Sequence, residues 1–200
     1  IYCDLRRKLI KEKPDYIINA SAYTAVDDAE DFFILAEDIN HLAVKNIANI
    51  SKEIGSVLVH ISTDYVFDGG SLKPYKENDP TSPVTKYGLS KLNGENAIIQ
   101  SKCNAIIIRT AWVFSEYGKN FLKTMLNLGA IKEELNIVDD QVGAPTYAQD
   151  LAEAIIDILV FIKANDSFND WGVYNFCGEN SCSWFDFAQL IFSHANNCNL

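Results

Sequence analysis

Short apolar runs alternating with longer helical stripes constrain this sequence more than any other feature in it. Residues 56–62 (SVLVHIS) and 104–109 (NAIIIR) are strand-length and nearly all apolar, the pattern of strands buried on both faces of a parallel sheet. Residues 16–20 (YIINA) make a third such run, and Lys13-Pro14-Asp15 ahead of it stops an amphipathic stretch over 5–10. Leu35, Ile39, Leu42, Ala43, Ile47, Ile50 and Ile54 recur at three and four, which predicts one helix over 32–54 of about six turns, ended by Gly55. Further helices are expected over 84–101, 120–128, 147–162 and 183–195, the last with Ser183 and Asp186 spaced as a near capping box. Short strands are expected at 135–138 and 173–176. Alternation of this kind predicts an α/β fold with a mostly parallel sheet, whose ligands bind at the carboxyl ends of the strands.

Chemistry is therefore expected in the residues just past each strand: Asn19-Ala20-Ser21-Ala22, Ser62-Thr63-Asp64-Tyr65 and Arg109-Thr110-Ala111-Trp112. The loop over 63–85 carries Gly69-Gly70, Pro74, Pro80 and Pro83, and its length suggests a functional segment. Charge narrows the partners. Seventeen Lys and Arg against 27 Asp and Glu give a net charge of -10 with no local basic patch, which argues against nucleic acid, since phosphate neutralisation supplies most nonspecific affinity. No apolar run approaches the roughly 18 residues of a membrane span, and no signal peptide is readable, so no membrane partner is expected. Cys3, Cys103, Cys177, Cys182 and Cys198 lack CxxC spacing and read as reduced thiols of a cytoplasmic protein. With His41, His60 and His194 far apart, no metal site is expected. His60, inside an apolar strand, reads as a core histidine with its polar atoms satisfied. Residues 27–31 (DDAED) read as a solvated acidic helix start, and Glu95 as a helix-face partner for Lys91. Trp112, taken without further context, fits a core aromatic.

The sharpest chemical signal is Tyr87-Gly-Leu-Ser-Lys91, a phenol and an ammonium one helical turn apart on one face. The Lys91 charge is expected to lower the Tyr87 pKa and make the phenol usable in general acid–base chemistry, with the Ser62-Thr63 hydroxyls available to the same carbonyl oxygen. At this point the sequence resembles the extended short-chain dehydrogenase/reductase superfamily, whose Ser/Thr, Tyr and Lys triad has this order and spacing. The blocks IINASAYTAVDDAE, VHISTDYVFDG, PYKENDPTSPVTKYGLSKLNGE, IIRTAWVFSEYGKNFLKTM and VDDQVGAPT are similar to those of the dTDP-4-dehydrorhamnose reductase family over residues 14–190.

That resemblance implies reduction of the C4 ketone of dTDP-4-dehydro-L-rhamnose to dTDP-L-rhamnose by hydride from NADPH or NADH, in the synthesis of a cell-surface polysaccharide precursor. It assigns Tyr87 as proton donor, Lys91 to the nicotinamide ribose and Thr63 to polarising the ketone. Asn19, Ala20, Ser21 and Ser62 would approach the cofactor, and Asp4 and Leu5 its adenine. Thr24, Val26, Asp64, Tyr65, Trp112 and Gln141 would contact the nucleotide sugar, with Gly143, Pro145 and Thr146 shaping the cleft. The implied fold is a Rossmann-like doubly wound parallel sheet, here expected to lack its first strand and glycine-rich turn, with a small, incomplete substrate-binding domain. Residues 1–112 and 144–178 would form the dinucleotide-binding domain, residues 113–143 and 179–200 the substrate-binding part. Without a GxGxxG-like turn to cradle the pyrophosphate, the 200 residues alone are expected to bind cofactor weakly. A homodimer is compatible with the family. Some relatives form Mg2+-linked dimers, whose carboxylates find no match here. Two alternatives stay open: a noncatalytic regulatory subunit on the same fold, as in methionine adenosyltransferase, and a sister nucleotide-sugar reductase, epimerase or dehydratase.

Overall fold

The computed structural model describes residues 2–197, so Cys198 lies outside the described residues. In chain order the elements are α1 (Tyr2–Glu12), β1 (Tyr16–Asn19), α2 (Asp28–Asp31), α3 (Phe33–Glu37), α4 (Ala43–Ile54), β2 (Val57–Thr63), α5 (Lys86–Ser101), β3 (Ala105–Thr110) and β4 (Val113–Phe114). They continue with α6 (Phe121–Gly129), β5 (Val142–Gly143), β6 (Thr146–Tyr147), α7 (Ala148–Ala164), β7 (Gly172–Asn175), β8 (Cys182–Ser183) and α8 (Trp184–Asn197). Two compact units result. The first holds the chain up to Arg109 together with Ile162–Asn175, and the second holds Thr110–Phe161 and the chain from Phe176.

The first unit is built on a four-stranded sheet of order β1-β2-β3-β7. β1 runs parallel to β2, from Tyr16 opposite Val57 to Asn19 opposite His60, and β3 runs parallel to β7, ending with Arg109 opposite Asn175. All six residues of β3 are buried, which explains why its sequence shows no alternation: both faces are covered. Val44, Ala48, Leu58, Ile98, Ala105 and Ile107 form the core cluster between the sheet and the α4 and α5 helices.

The helix expected over 32–54 is interrupted. Between α3 and α4 the chain makes a wide π-type turn over Asp38–Leu42. The cause is polar. Asn40 is fully buried, accepts a hydrogen bond from the Tyr23 backbone N–H (2.8 Å), and donates to the Tyr23 carbonyl and the Ser90 hydroxyl (3.0 Å each). At the same turn the Asn40 carbonyl lies where a side chain on Gly94 of α5 would stand, 2.2 Å from its Cβ position, so the two helices meet through backbone. Apolar periodicity reports a helix face and is blind to such a widening, which is common where function resides.

The second unit holds two short ladders, β4 with β6 in parallel and β5 with β8 antiparallel. Its core is Met125, Phe187, Ala188 and Ile191, surrounded by Trp112, Phe114, Phe121, Leu135, Ile137 and Trp184 among others. The strand expected at 135–138 does not form. Leu135 and Ile137 turn into this core while Asn136 and Val138 face solvent, so the alternation is real, but the segment joins no ladder and the Val138 carbonyl instead accepts the Phe185 N–H (3.1 Å). At the start of α8 the capping box is complete: Ser183 N–H donates to Asp186 Oδ2 (3.1 Å) and Asp186 N–H to Ser183 Oγ (3.0 Å). No helix among the described residues is long and apolar enough to cross a membrane.

Candidate active site

The tips of β1 and β2 and the first two turns of α5 gather the predicted chemistry of the first unit. β2 ends at Thr63, whose Oγ1 accepts the Tyr65 N–H (3.2 Å) and donates to Asp64 Oδ1 (3.1 Å), starting a single 3-10 turn over Asp64–Val66. Thr85 caps α5 by accepting the Gly88 N–H (3.0 Å), so the helix opens at Lys86, later than its sequence suggests. Gly88 lets this first turn press against the β2 tip, since a Cβ there would lie 2.2 Å from the Tyr65 carbonyl oxygen. Tyr87 thereby comes under Thr63, whose side chain acts on its phenol. The Tyr65 ring meets the Tyr87 ring edge-on at 5.6 Å, and Ala29, Ala36, Tyr23 and Val26 complete the apolar wall.

Burial sets the electrostatics. The Tyr87 phenol is pushed up to about 12, chiefly by desolvation, with Asp64 and Tyr65 adding to the rise and the Thr63 side chain opposing it. Lys91, 2% exposed, is drawn down to about 8 by desolvation against the opposing charge of Glu95. Its Nζ donates to the Ile61 carbonyl (2.6 Å). The expectation that Lys91 lowers the Tyr87 pKa is corrected: burial of the phenolate raises it above the ordinary phenol value, and the phenol keeps its proton at neutral pH. Asp64 is raised by burial, and Tyr65 by burial and then by Asp64 and Asp27.

At the β1 tip, Asn19 is buried and its Oδ1 accepts both the Ser21 N–H (3.3 Å) and the Ser21 hydroxyl (2.7 Å), leaving Ala20 and Ser21 exposed on a small-residue turn. The Asn19 amide pairs with His60 Nδ1 at 3.0 Å. His60 is only half satisfied, because its fully buried Nε2 has no partner; burial first and Lys91 second draw its pKa down to about 3, which holds it neutral.

Two other sequence readings are revised. Glu95 does not pair with Lys91. It is buried and takes a two-pronged ion pair from Arg109, with Nη2 to Oε2 at 2.7 Å and Nε to Oε1 at 3.0 Å. The Ser62 hydroxyl also goes to Glu95, so its side chain serves this network. Asp4 and Leu5 lie in the first turn of α1, where Asp4 pairs with Arg7 at the surface (2.8 Å). Thr24 is exposed in the loop after β1. Trp112 and Gln141 belong to the second unit. There Trp112 adopts a left-handed backbone (φ 47) and stacks on Trp184 with ring centroids 3.4 Å apart, over Gly143, while Gln141 is exposed. Sequence reasoning missed Asn40, Ser90 and the Glu95–Arg109 pair. A lone Asn within an apolar helical stripe and an Arg ending an all-apolar strand were the available signals.

Known proteins resemble this chain in sequence and fold. Residues 3–199 match the family model described as RmlD substrate binding domain. The chain is 44% identical over 183 residues to a dTDP-4-dehydrorhamnose reductase of Aggregatibacter actinomycetemcomitans, covering 92% of this chain and 62% of that protein. It is 45% identical over 190 residues to one of Burkholderia thailandensis, covering 94% of this chain and 63% of that protein. The crystal structure of dTDP-4-dehydrorhamnose reductase from Bacillus anthracis in complex with NADP superimposes with a TM-score of 0.91 at 39% identity, over 98% of this chain and 67% of that one. The chain thus spans somewhat less than two thirds of the length of the curated relatives it matches.

Proposed function

The chain belongs to the RmlD substrate binding domain family, and from that premise we propose that it carries the catalytic centre of an NADPH- or NADH-dependent reductase acting on the C4 ketone of dTDP-4-dehydro-L-rhamnose. The observation that carries this reading is the placement of Tyr87 beside Thr63, whose side chain acts on the phenol, with Lys91 one turn further along α5. The residues fit a dinucleotide. The exposed Ala20-Ser21 turn admits a planar ring without a bulky side chain in its way, and Lys91 spends one of its three donors on Ile61, so it has others for ribose hydroxyls. When bound, the reduced nicotinamide supplies the hydride.

Tyr87 holds a proton on its phenol oxygen at neutral pH and passes it to the ketone oxygen as that oxygen turns into an alkoxide. An alkoxide is more basic than even this phenolate, so the transfer runs downhill. Thr63, by turning its one hydroxyl proton away from Asp64, donates to the same oxygen, and the nearby Lys91 cation eases the phenolate left behind. Asn19, Ala20, Ser21 and Ser62 line the cofactor side, with Asp4 and Leu5 toward its adenine. Thr24, Val26, Asp64 and Tyr65 contact the nucleotide sugar.

The test is reduced-nicotinamide oxidation by the purified full-length protein with a panel of dTDP-, GDP- and UDP-linked 4-keto sugars. Consumption with dTDP-4-dehydrorhamnose, lost in Tyr87→Phe, is the expected result, and no consumption with any sugar sinks it. Because Lys91 is a cation only below its pKa of about 8, turnover should decline as pH rises through that value.

A further inference from the structure

We infer that the buried Glu95–Arg109 pair is a positioning device for the proposed reaction, holding the tip of β2 in register with α5 so that Thr63 faces Tyr87. This deepens the reductase reading and rests on it. Glu95 sits one helical turn beyond Lys91, and the turn of helix that carries Lys91 therefore also carries the anchor. Three donors converge on its carboxylate: Arg109 Nε at 3.0 Å, Arg109 Nη2 at 2.7 Å, and the hydroxyl of Ser62, the residue next to Thr63. Glu95, Arg109 and Ser62 are 1%, 6% and 3% exposed. The remaining arm of Arg109, Nη1, donates to the Glu77 carbonyl (3.2 Å), and its guanidinium lies 5.0 Å from the centre of the Phe67 ring, which stacks on Tyr75. Glu77 in turn accepts the Asn175 N–H at the end of β7 (3.0 Å). One guanidinium thus ties the end of β3, the α5 helix, the β2 tip and the loop beyond it.

A buried ion pair is weak evidence for stability, since well-packed apolar residues of similar volume often serve as well. What apolar packing lacks is direction: a two-pronged Arg–carboxylate contact with a hydroxyl on the same oxygen admits one arrangement, and a proton transfer between Tyr87 and a ketone held by Thr63 needs one.

The pair also bears on Lys91. Around that ammonium, β2 contributes His60, held neutral; the turn after β2 contributes Asp64, which acts on Tyr87; α5 contributes Tyr87 and Glu95; and β3 contributes Arg109, bound to Glu95. Of these, Glu95 is the group whose charge raises the Lys91 pKa.

The test compares Glu95→Gln with the double replacement Glu95→Met, Arg109→Met, reading kcat and KM on dTDP-4-dehydrorhamnose and, on the protein without substrate, the Lys91 titration by NMR of 13Cε-labelled lysine. Glu95→Gln should lower kcat at least about 10-fold with KM changed less than about 3-fold. Its Lys91 midpoint should fall by about 1 pH unit. The double variant should regain thermal stability without regaining kcat. Recovery of kcat to within about twofold of wild type in the double variant, or an unmoved Lys91 midpoint together with wild-type kcat in Glu95→Gln, overturns the inference. A wild-type protein inactive on every sugar would overturn the reductase reading instead, and the Lys91 midpoint then decides the role of the pair alone.

Discussion

The two units bury different things. In the first, polar groups are taken into the interior one by one and each is aimed: Asn40 at Tyr23 and Ser90, Glu95 at Arg109 and Ser62, Lys91 at the Ile61 carbonyl. In the second, the interior is aromatic, with Trp112 stacked on Trp184 and Phe121 packed against Trp184 and Phe187. Hydrogen-bonded burial fixes orientation and fails when a single atom is changed, whereas aromatic packing fills volume and fails when volume is lost. The lesson is that the first unit should be read by its donors and acceptors, the second by its shape.

The largest test of that contrast is on the second unit. Phe187→Ala, at a side chain 6% exposed, should cost about 3–5 kcal/mol in urea unfolding, because surrounding rings cannot close the cavity. In the first unit, Tyr87→Phe removes one oxygen and almost no volume. It should lower turnover at least about 100-fold while leaving the unfolding midpoint nearly unchanged, and a comparable loss of stability instead would erase the distinction.

Acid should act on the first unit through His60, whose pKa in the folded protein is lowered to about 3 from 6.5. Between those values the unfolded chain binds a proton that the folded protein refuses, so stability present above pH 6.5 drains away as pH falls toward about 3, by a few kcal/mol at most. Denaturant melts across that window should show the slope, and His60→Leu should flatten it. Smallest are the helix caps. Thr85→Ala and Asn120→Ala each remove a hydroxyl or amide that accepts a helix N–H, and each should cost about 1 kcal/mol. Only Thr85→Ala, on the helix bearing Tyr87, should also lower kcat. Equal kinetic effects from both would count against the contrast.

Much of this was legible in the chain itself. The α/β alternation, the burial of β3 on both faces and the capping box at Ser183 come from local pattern, because a strand covered on both sides must be apolar throughout and a helix start must satisfy its free N–H groups. The Tyr87–Lys91 spacing was equally plain, since residues four apart share a helix face whatever surrounds them. The strand expected at 135–138 failed for a nonlocal reason: alternation says that one face is buried, while a strand also needs a neighbour with which to pair.

What only the tertiary structure decided is where the charges go. Spacing offered Lys91 as the partner of Glu95, yet folding brought Arg109 from the end of β3 to that carboxylate and turned the lysine to the Ile61 carbonyl. Spacing also suggested a phenol made acidic by its neighbour, while burial made it less so. Periodicity is a property of neighbours along the chain and survives into any fold that uses it. Desolvation and ion pairing depend on what arrives from elsewhere in the chain, and no window of sequence contains that.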